Sequence, residues 1–518
     1  MKFVKHIRFV FAIVATAFMY VGPTVAAPGG TITWGKPSEV LSTDAHLSAD
    51  GTSWVMYYLV YDTLVTTTDD LKIAPGLAES WEQPTPTTYI FKLRKNAAFS
   101  NGRPLTSTDV VGSLKRLADP KLGSYAGRQI GDVKSVVALD DHTVKLELEQ
   151  PNTAVLSVLS VSMTAIYPIE ELENGTFDPT KEMLGSGPFM VAEHRQDESW
   201  TLVRNPHYWR QGYPIVDKLL VRIIQDDAAR LAALRDGSVD IANFENPDAA
   251  TLLKGIPNVE PIVQKTTNYF RLDVSALQDN SPFKDIRVRR AMALALDRQR
   301  IVNAVFGGES AVDYVVPQAF GKPVCRDHQD YVTPREERIA LARELLQEAG
   351  AKDLKVGIVA SSVLVTFPLI AQVMKASLAD VGIEAEVQQI PVADWYQRVF
   401  SAKTDFDLAL SWLAGYSDPT QILSNWNPEW VGWSTGFMKP NAEYNNTVNE
   451  VRQLSDGPER DRAIEKACQI IYDQANMLPL ISKPDYIGYR KDKINARFSA
   501  IEGNFNTLKY ITEFSRLD

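Results

Sequence analysis

The sequence predicts an α/β protein with two lobes and an additional α+β section. Two separate strand–helix–strand patterns, within residues 216–242 and 354–390, carry this prediction. Such a unit builds a parallel or mixed sheet that helices cover, so two units indicate two sheets. Upstream, short strands such as residues 89–94 and 143–148 alternate with turns, which indicates the additional section. Because no flexible linker separates the patterns, we expect the chain to cross between the lobes more than once.

Residues 1–26 are predicted to be a signal peptide. Lys2, Lys5 and Arg8 precede an uncharged apolar run at residues 9–21, and small residues suited to cleavage follow it. The run has about 13 residues, whereas a membrane-spanning helix needs roughly 20. A retained anchor is the alternative interpretation. No cysteine lies at the cleavage site, so we expect an exported, periplasmic protein without a lipid anchor.

Charge and length narrow the class of protein further. Removing the three basic residues of the signal peptide takes the formal net charge from −10 to about −13. A nucleic-acid partner requires a basic surface, so this balance argues against one. The remaining chain of roughly 490 residues has room for two or three domains.

The first strand–helix–strand unit opens with the strand-like residues 216–224. Asp226 and Asp227 follow at a predicted helix start, where acidic side chains interact favourably with the helix dipole. Residues 228–235 are predicted to be helical, and Gly237 ends the helix before the second strand.

A helix with clear start and stop residues precedes the second unit. Thr333 is its predicted N-cap, Pro334 suits the first helical position, and Glu336 can close a capping box. Gly350 ends this helix. The second unit then consists of a strand, an amphipathic helix and a strand, at residues 354–360, 366–381 and 383–390.

The chain has two cysteines, Cys325 and Cys468. An oxidising compartment permits a disulfide between them, but the sequence does not establish the pairing. Apolar residues around Cys468 recur at helical spacing, which favours a buried core thiol at that position.

Six groups of residues follow one another in an order that is specific to one protein family. They are VYDTL at 60–64 with PGLAESW at 75–81; YIFKLR at 89–94 with FSNGRPLTSTDV at 99–110; GSGPF at 185–189 with RNPHYW at 204–209 and the first strand–helix–strand unit; PFKDIRVRRAMALALDR at 282–298; DFD at 405–407 with Trp412; and NMLPL at 476–480. One such group is a weak indication, whereas six in order are highly specific.

With these groups the chain resembles the periplasmic solute-binding proteins of the peptide/nickel class, bacterial extracellular solute-binding family 5, over essentially its whole mature length. The resemblance implies a two-lobed α/β periplasmic binding protein with mixed sheets, an inserted α+β subdomain and a ligand cleft between the lobes. Lobe I then takes residues 27–60, 185–269 and 484–518, the inserted subdomain takes 61–184, and lobe II takes 270–483.

The family serves ABC importers. The resemblance therefore implies a non-enzymatic component that captures a peptide or a related small organic solute and delivers it to the permease subunits of the inner membrane. Hinge closure of the lobes encloses the solute and presents a different surface to the permease. It implies no cofactor, and we expect a monomer. A chaperone-like or signalling role on the same fold is a further alternative.

One motif suggests catalysis instead. Residues 432–436 read GWSTG and match the G-x-S-x-G pattern of serine hydrolases. That pattern needs a buried strand before the serine and a helix after it, and neither flanks Ser434. A secreted serine hydrolase is therefore a remote alternative. The six histidines are scattered and the usual zinc motifs are lacking, so we predict no metal site and no catalytic residue.

The predicted ligand site lies in SWLAGYSDPT, residues 411–420, which aligns with the ligand-contacting loop of the family. The residues that we expect to contact the ligand are Trp412, Gly415, Tyr416 and Asp418, with Asp50, Trp54 and Trp395 as further candidates. Trp426, Trp430 and Trp433 follow within about twenty residues, and they form either part of a stacking wall or part of the lobe's packing.

Two charged groups typical of the peptide-binding members are missing. Such members place an Asp where this chain has Gly415, to hold the ligand's ammonium group, and dipeptide-binding members place an Arg after the strand at 354–360, where this chain reads ASSVL. A buried charge without a partner is costly. The sequence therefore permits a longer peptide with its termini outside the cleft, or an oligosaccharide, an opine-like compound or a nickel complex.

Overall fold

The computed structural model describes residues 29–48, 51–362, 365–401, 404–503 and 505–517. The predicted signal peptide and Asp50 lie outside these residues. Three larger sheets, of eight, five and four strands, organise the described part of the chain. No helix in these five ranges is long and apolar enough to cross a membrane.

The first part of the chain forms one strand of the eight-stranded sheet and the whole of the four-stranded sheet. Its strands are β1 (Thr31–Lys36), β2 (Val65–Thr67), β3 (Ile73–Pro75), β4 (Ala78–Thr85), β5 (Thr88–Leu93), β6 (Val133–Asp140) and β7 (Thr143–Leu148). Its helices are α1 (Gly51–Val60), α2 (Ser107–Ala118), α3 (Tyr125–Ile130), α4 (Val155–Val158) and α5 (Ile169–Asn174).

The second part returns to the eight-stranded sheet. Its strands are β8 (Phe189–Arg195), β9 (Ser199–Arg204), β10 (Lys218–Ile223), β11 (Ile241–Phe244) and β12 (Val259–Thr266), and its helices are α6 (Asp227–Asp236) and α7 (Ala249–Lys254).

The third part forms the five-stranded sheet and then re-enters the eight-stranded one. Its strands are β13 (Tyr269–Val274), β14 (Lys355–Ser361), β15 (Glu384–Ile390), β16 (Leu408–Leu413), β17 (Met477–Ser482), β18 (Asp485–Arg490), β19 (Ile494–Asn495), β20 (Ile501–Glu502) and β21 (Ser515–Arg516). Its helices are α8 (Ile286–Ala295), α9 (Arg298–Phe306), α10 (Gln329–Val332), α11 (Arg335–Glu348), α12 (Thr366–Ala379), α13 (Val392–Val399), α14 (Pro419–Leu423), α15 (Pro428–Val431), α16 (Ala442–Gln453) and α17 (Pro458–Gln474).

The two principal sheets are mixed. The eight-stranded sheet, which we call the lobe I sheet, has the order β20-β12-β18-β11-β1-β10-β9-β8, and β1 runs parallel to both β10 and β11. The five-stranded sheet, the lobe II sheet, has the order β15-β14-β16-β13-β17, with β14 parallel to β15 and β16. The four-stranded sheet, β4-β5-β7-β6, is antiparallel, and we call its region the inserted section.

The chain crosses between the two lobe sheets twice after β12. The first crossing, Thr267 and Asn268, joins β12 to β13, and the second, Lys483, joins β17 to β18. The crossings are hydrogen-bonded to each other, since the Lys483 amide donates to the Asn268 carbonyl oxygen at 2.9 Å. The Thr267 amide donates to the Glu502 carbonyl oxygen at 3.0 Å, so a third segment is tied to the same place. We call these crossings the hinge.

Both predicted strand–helix–strand units form. In the first, Asp226 caps α6 by accepting a hydrogen bond from the Ala229 amide, and Gly237 ends the helix with φ +78°. In the second, β14, α12 and β15 match the predicted elements within two residues. The predicted capping box of α11 is wrong, because Pro334 occupies the N-cap position and no side chain caps this helix.

The two cysteines form a disulfide, so the expectation of a buried free thiol at Cys468 was wrong. Cys468 lies in α17 and does face the core, as its helical spacing predicted. Its partner Cys325 lies 143 residues earlier, in a loop that the sequence does not place. The Tyr472 hydroxyl donates to the Cys325 carbonyl oxygen at 2.9 Å and fixes that loop against α17.

The residue groups that carry the resemblance meet in lobe I. Asp62 accepts hydrogen bonds from the Ser186 hydroxyl and from Trp209 Nε1, both at 3.1 Å, and the Arg94 guanidinium lies 4.0 Å from the Trp209 ring centroid. Burial raises the pKa of Asp62 to about 7, although both hydrogen bonds oppose that shift. A side chain at Gly185 would overlap the Val60 carbonyl oxygen. Three of the six groups thus contribute residues to one structural cluster.

We predict that the disulfide contributes substantially to stability. Replacing Cys325 and Cys468 together by Ser should lower the free energy of unfolding by about 3–5 kcal/mol, because the bond closes a long loop in the unfolded chain. Denaturant unfolding of the mature protein measures this change. Reductant should lower the stability of the wild type to the same extent and leave the double variant unchanged. A wild type that reductant does not affect would contradict the prediction.

Candidate functional site

The candidate site lies where lobe I, lobe II and the inserted section meet. The loop that follows β16 approaches α3 and α4 of the inserted section. The Tyr416 and Tyr125 hydroxyls are 3.0 Å apart, and the Ser417 and Ser157 hydroxyls are 2.6 Å apart. Tyr125 also donates to Asn425 Oδ1 at 3.1 Å. The loop predicted to contact the ligand therefore forms part of the contact between the lobes.

Two predicted tryptophans face a single ring at this junction. Trp54 comes from α1 in lobe I, and Trp412 comes from β16 in lobe II. The ring of Phe505 lies between them, with centroid distances of 5.1 Å to Trp54 and 5.3 Å to Trp412, and both contacts are edge-to-face. Gly51 gives the Phe505 ring its space, because a Cβ there would lie 2.8 Å from the ring. The junction therefore has an aromatic centre that both lobes supply.

Several polar atoms around this centre have no hydrogen-bond partner within the described ranges. They are Trp54 Nε1, Thr267 Oγ1, Asn268 Nδ2 and Glu502 Oε2, and all four are buried. Buried polar groups in folded proteins are normally paired, so such a group marks a place where a ligand or a water can bind. The set includes donors and acceptors, which suits a solute that carries both.

Gly415 is at the junction, but for a steric reason. A Cβ at this position would lie 2.1 Å from Thr267 Oγ1 and 2.5 Å from the Thr267 carbonyl carbon. The Gly415 amide donates to Asn268 Oδ1, which holds the loop against the hinge. The acidic side chain that related proteins place here does not fit beside Thr267. The missing ammonium clamp is therefore a consequence of how closely the loop and the hinge pack.

Asp418 is engaged in the structure of lobe II. Its side chain caps α14 by accepting from the Thr420 amide at 2.7 Å. Its two carboxylate oxygens also accept from Arg460 at 2.8 and 2.9 Å, and the Arg460 side chain is only 3% exposed. Because one partner is so well buried, breaking this pair would leave an uncompensated charge. These contacts give Asp418 a structural role beside the cleft.

The other predicted aromatic residues are distributed over lobe II. Trp395 is buried, donates to the Leu410 carbonyl oxygen at 3.1 Å, and packs on Phe367 and Phe400. Trp426 is likewise buried and donates to the Met477 carbonyl oxygen. These two residues have the contacts of core residues, so the run of tryptophans does not form one wall.

Three acidic side chains surround Lys483 at the hinge, and one of them, Glu502, is fully buried. Lys483 Nζ lies 3.7 Å from both Glu245 Oε2 and Asp485 Oδ1. Burial lowers the pKa of Lys483. Its attraction to Glu245, Asp485 and Glu502 outweighs that effect, so the pKa is raised. Burial, followed by repulsion from Asp485, raises the pKa of Glu502 to about 8. A single ammonium group thus lies beside two carboxyl groups, and the raised pKa of the third, Glu502, favours its protonated form.

The GWSTG motif lacks the geometry of a nucleophile elbow in the described residues. Ser434 of the GWSTG motif is fully buried, and its hydroxyl has no hydrogen-bond partner within those residues. The motif lies in a turn after α15 and before α16, without the strand that a nucleophile elbow requires. No group of three or more His, Cys, Asp or Glu side chains in the described ranges is placed to hold a metal ion.

Comparison with known proteins identifies the family. The model of the bacterial extracellular solute-binding proteins, family 5 Middle, matches residues 72–432, which is more than half of the chain. The chain belongs to this family. It is a solute-binding component of an ABC importer, as the residue groups predicted, and it has the predicted two-lobed periplasmic-binding fold.

Proteins similar to this chain differ in the solute that their names give. A putative ABC transporter peptide-binding protein of Brucella ovis is 30% identical and covers 80% of this chain and 81% of its own. Heme-binding protein A of Haemophilus influenzae is 27% identical, with 79% and 78% covered. The structure of AgaA of A. tumefaciens R10 with agropinic acid superposes with a TM-score of 0.82 at 23% identity, covering 94% and 99%.

The sequence pointed to part of this junction and missed the rest. Trp54, Trp412, Gly415 and Tyr416 meet there, and the structure adds four residues that no motif indicated: Thr267, Asn268, Glu502 and Phe505. The sequence indicated Thr267 and Asn268 only weakly, because they lie between two strands, β12 and β13, that belong to different sheets. The only sequence signal for Phe505 was its place in GNFNT, a turn-like segment with a single large apolar side chain.

We predict that Gly415 does not tolerate a side chain. Gly415→Ala should lower the free energy of unfolding by roughly 1–3 kcal/mol, because the new Cβ overlaps Thr267. Denaturant unfolding measures the change. Gly255→Ala is the matched control, because a Cβ there has the Leu252 carbonyl oxygen at 3.5 Å as its nearest contact. Equal stabilities of the two variants would contradict the prediction.

We also predict a pH dependence that comes from Glu502. The unfolded chain loses this proton near the ordinary value of about 4.5, whereas the folded chain keeps it up to about 8. Between these values the unfolded state binds fewer protons, so the contribution of Glu502 to stability falls as pH rises.

Glu502→Gln should remove up to about 1.4 kcal/mol per pH unit of that slope. Unfolding free energies measured from pH 5 to 8 test this, with Glu443→Gln, at an exposed glutamate, as the control. An unchanged slope in Glu502→Gln would show that the group is ionised in the folded protein.

Proposed function

We propose that this family 5 protein captures a peptide, or a related small organic solute, in the periplasm and delivers it to inner-membrane permease subunits. The observation that carries the proposal is the junction itself, where aromatic rings from both lobes surround buried, unpaired donors and acceptors. A peptide backbone offers both N–H and C=O groups, which pair with such a mixed set. The peptide-binding relative from Brucella supports the same class of solute.

The proposed ligand-contacting residues are a revised set. Trp54 and Trp412 would stack on the solute, and Tyr416 and Gly415 would shape the cleft through their bonds to the inserted section and the hinge. The sequence also predicted Asp418, Trp395 and Asp50 as ligand contacts. In the revised set Asp418 would act indirectly, by fixing its loop, and the other two are not included. The hinge atoms of Thr267 and Asn268 would bond the solute directly.

Two positions where related peptide-binding proteins hold the ligand's charged termini carry no charge here, which favours a solute whose termini lie outside the cleft. Gly415 provides no carboxylate, and residues 361–365 provide no arginine. A charged terminus buried there would remain unpaired, at a cost of several kcal/mol. A longer peptide avoids that cost, as does an oligosaccharide. An oligosaccharide, an opine-like compound and a nickel complex are the alternatives that a ligand panel distinguishes.

The remaining features of the proposal concern its setting. The protein would work as a monomer in the periplasm, without a lipid anchor, a cofactor or a nucleic-acid partner. Its role would be binding alone. The burial of Ser434 supports that view over a secreted hydrolase, and a fluorophosphonate that labelled Ser434 stoichiometrically would overturn it.

Native mass spectrometry of the freshly purified mature protein should detect a co-purifying solute. Calorimetric titration then compares alanine peptides of two to five residues with maltotriose, octopine and Ni²⁺–histidine. We expect binding to increase from the dipeptide to the longer peptides, because the longer chains keep their termini outside the cleft. Tight binding of dialanine would contradict the absence of charge clamps, and binding of only a non-peptide would reassign the solute.

We predict that Trp412→Ala weakens binding of the solute so identified at least about tenfold, because it removes one aromatic wall. The matched control is Trp395→Phe, which alters a tryptophan packed inside lobe II. Titration of both variants with the same solute measures the difference. Equal losses in the two variants would place the solute elsewhere than beside Trp412.

A further inference from the structure

Phe505 has an unusual position for a side chain near the C-terminus. Its ring contacts Trp54 of lobe I and Trp412 of lobe II, both edge-to-face, and so it fills the space between the two lobes. Its own segment belongs to lobe I, since β20 pairs with β12. Phe505 is therefore a side chain of one lobe that occupies the aromatic slot between both.

The backbone at Phe505 is held in a conformation that phenylalanine rarely adopts. Its φ angle is +57°, in the left-handed region that favours glycine. Bulky residues in this region carry a conformational cost and persist only where the surroundings impose it. The slot thus retains a ring even though the backbone that delivers it is strained.

The Phe505 ring leaves polar atoms near it without hydrogen-bond partners. Trp54 Nε1 beside the ring and Glu502 Oε2 three residues before it are buried without a partner within the described residues. A phenyl ring offers neither a donor nor a conventional acceptor to them. A flat solute group with polar substituents would keep the contacts with the two tryptophans and also pair these atoms, so Phe505 is a poorer occupant than such a group.

The segment that carries Phe505 has space beside it. Tyr58, Asn506, Leu508 and Tyr510 line a cavity of about 620 Å³ in lobe I. Asn506 follows Phe505 directly, and its amide is held by the Glu502 side chain. Because this cavity borders Asn506, the residue next to Phe505, the segment has space into which it could move when the ring leaves the slot.

We propose that Phe505 is a built-in occupant of the ligand site, and that the solute displaces it by placing an aromatic or other flat group between Trp54 and Trp412. The inference rests on the proposed solute-binding function and makes it more specific. The solute is a peptide with an aromatic side chain, and Phe505 sets the selectivity by competing for the slot. Solutes without a flat group do not displace it and bind weakly.

The first experiment tests the slot without requiring the natural solute. Indole is titrated into the mature protein, freed of co-purifying solute, as wild type, Phe505→Ala and Phe505→Ala/Trp412→Ala. We expect Phe505→Ala to bind one indole at least tenfold more tightly than the wild type, because removing a buried ring leaves a cavity that accepts a small aromatic molecule. The double variant should lose that gain.

Two outcomes would overturn the proposal: no gain in Phe505→Ala, or a gain that survives removal of Trp412. Phe498→Leu, at an aromatic residue that packs on Tyr489 and Phe514 away from the slot, is the control and should behave like the wild type. If Phe505→Ala does not fold, Phe505→Gly replaces it, because glycine suits the left-handed backbone at this position.

The second experiment tests the class of solute. Ala-Trp-Ala and Ala-Ala-Ala are titrated into the wild type and into Phe505→Ala. We expect the wild type to bind Ala-Trp-Ala at least tenfold more tightly, and the variant to improve further for this peptide alone. Equal binding of both peptides would overturn the proposed selectivity. If neither peptide binds the wild type, peptide transport fails as the function, while the indole titration still decides whether Phe505 occupies a slot.

Discussion

The structure depends on one largely buried lysine, with a side chain 14% exposed, at the place where the chain crosses between its lobes. Lys483 lies on the second crossing, and its ammonium group faces Glu245 and Asp485 with Glu502 close by. Removing these groups from water costs free energy, which only their mutual attraction offsets. The arrangement therefore holds only while the paired crossings keep the groups together. Since the first crossing and the Glu502 segment bond to each other, the same cluster fixes the hinge, the C-terminal segment and the floor of the cleft.

The same contacts connect the proposed solute-binding site to the hinge. The loop after β16 touches the inserted section through Tyr416 and the hinge through Gly415. The aromatic centre draws one tryptophan from each lobe. A rotation at the crossings would separate these contacts together, whereas a solute bound between the lobes would add to them. In the proposed function, solute binding would therefore favour the arrangement in which the lobes are in contact.

The fold was largely readable from the sequence because its elements carry local information. Gly237 and Asp226 delimit α6 through backbone and capping preferences that act over a few residues. The groups containing Asp62, Ser186 and Trp209 identified the family because they build one cluster in lobe I. That cluster is separate from the cleft, so it did not name the solute. The disulfide and Phe505 were not predictable, since each joins segments far apart in the chain through loops without a periodic pattern.

The close packing of Gly415 on Thr267 also limits how this protein can evolve. A single substitution that introduced an acid at position 415 would meet the hinge backbone before it could meet a ligand. Changing Thr267 first would disturb the crossing that Glu502 and Asn268 help to hold. An acidic side chain at position 415 therefore requires a change in the hinge as well, and the sequence with only one of the two changes would be less stable than either end point.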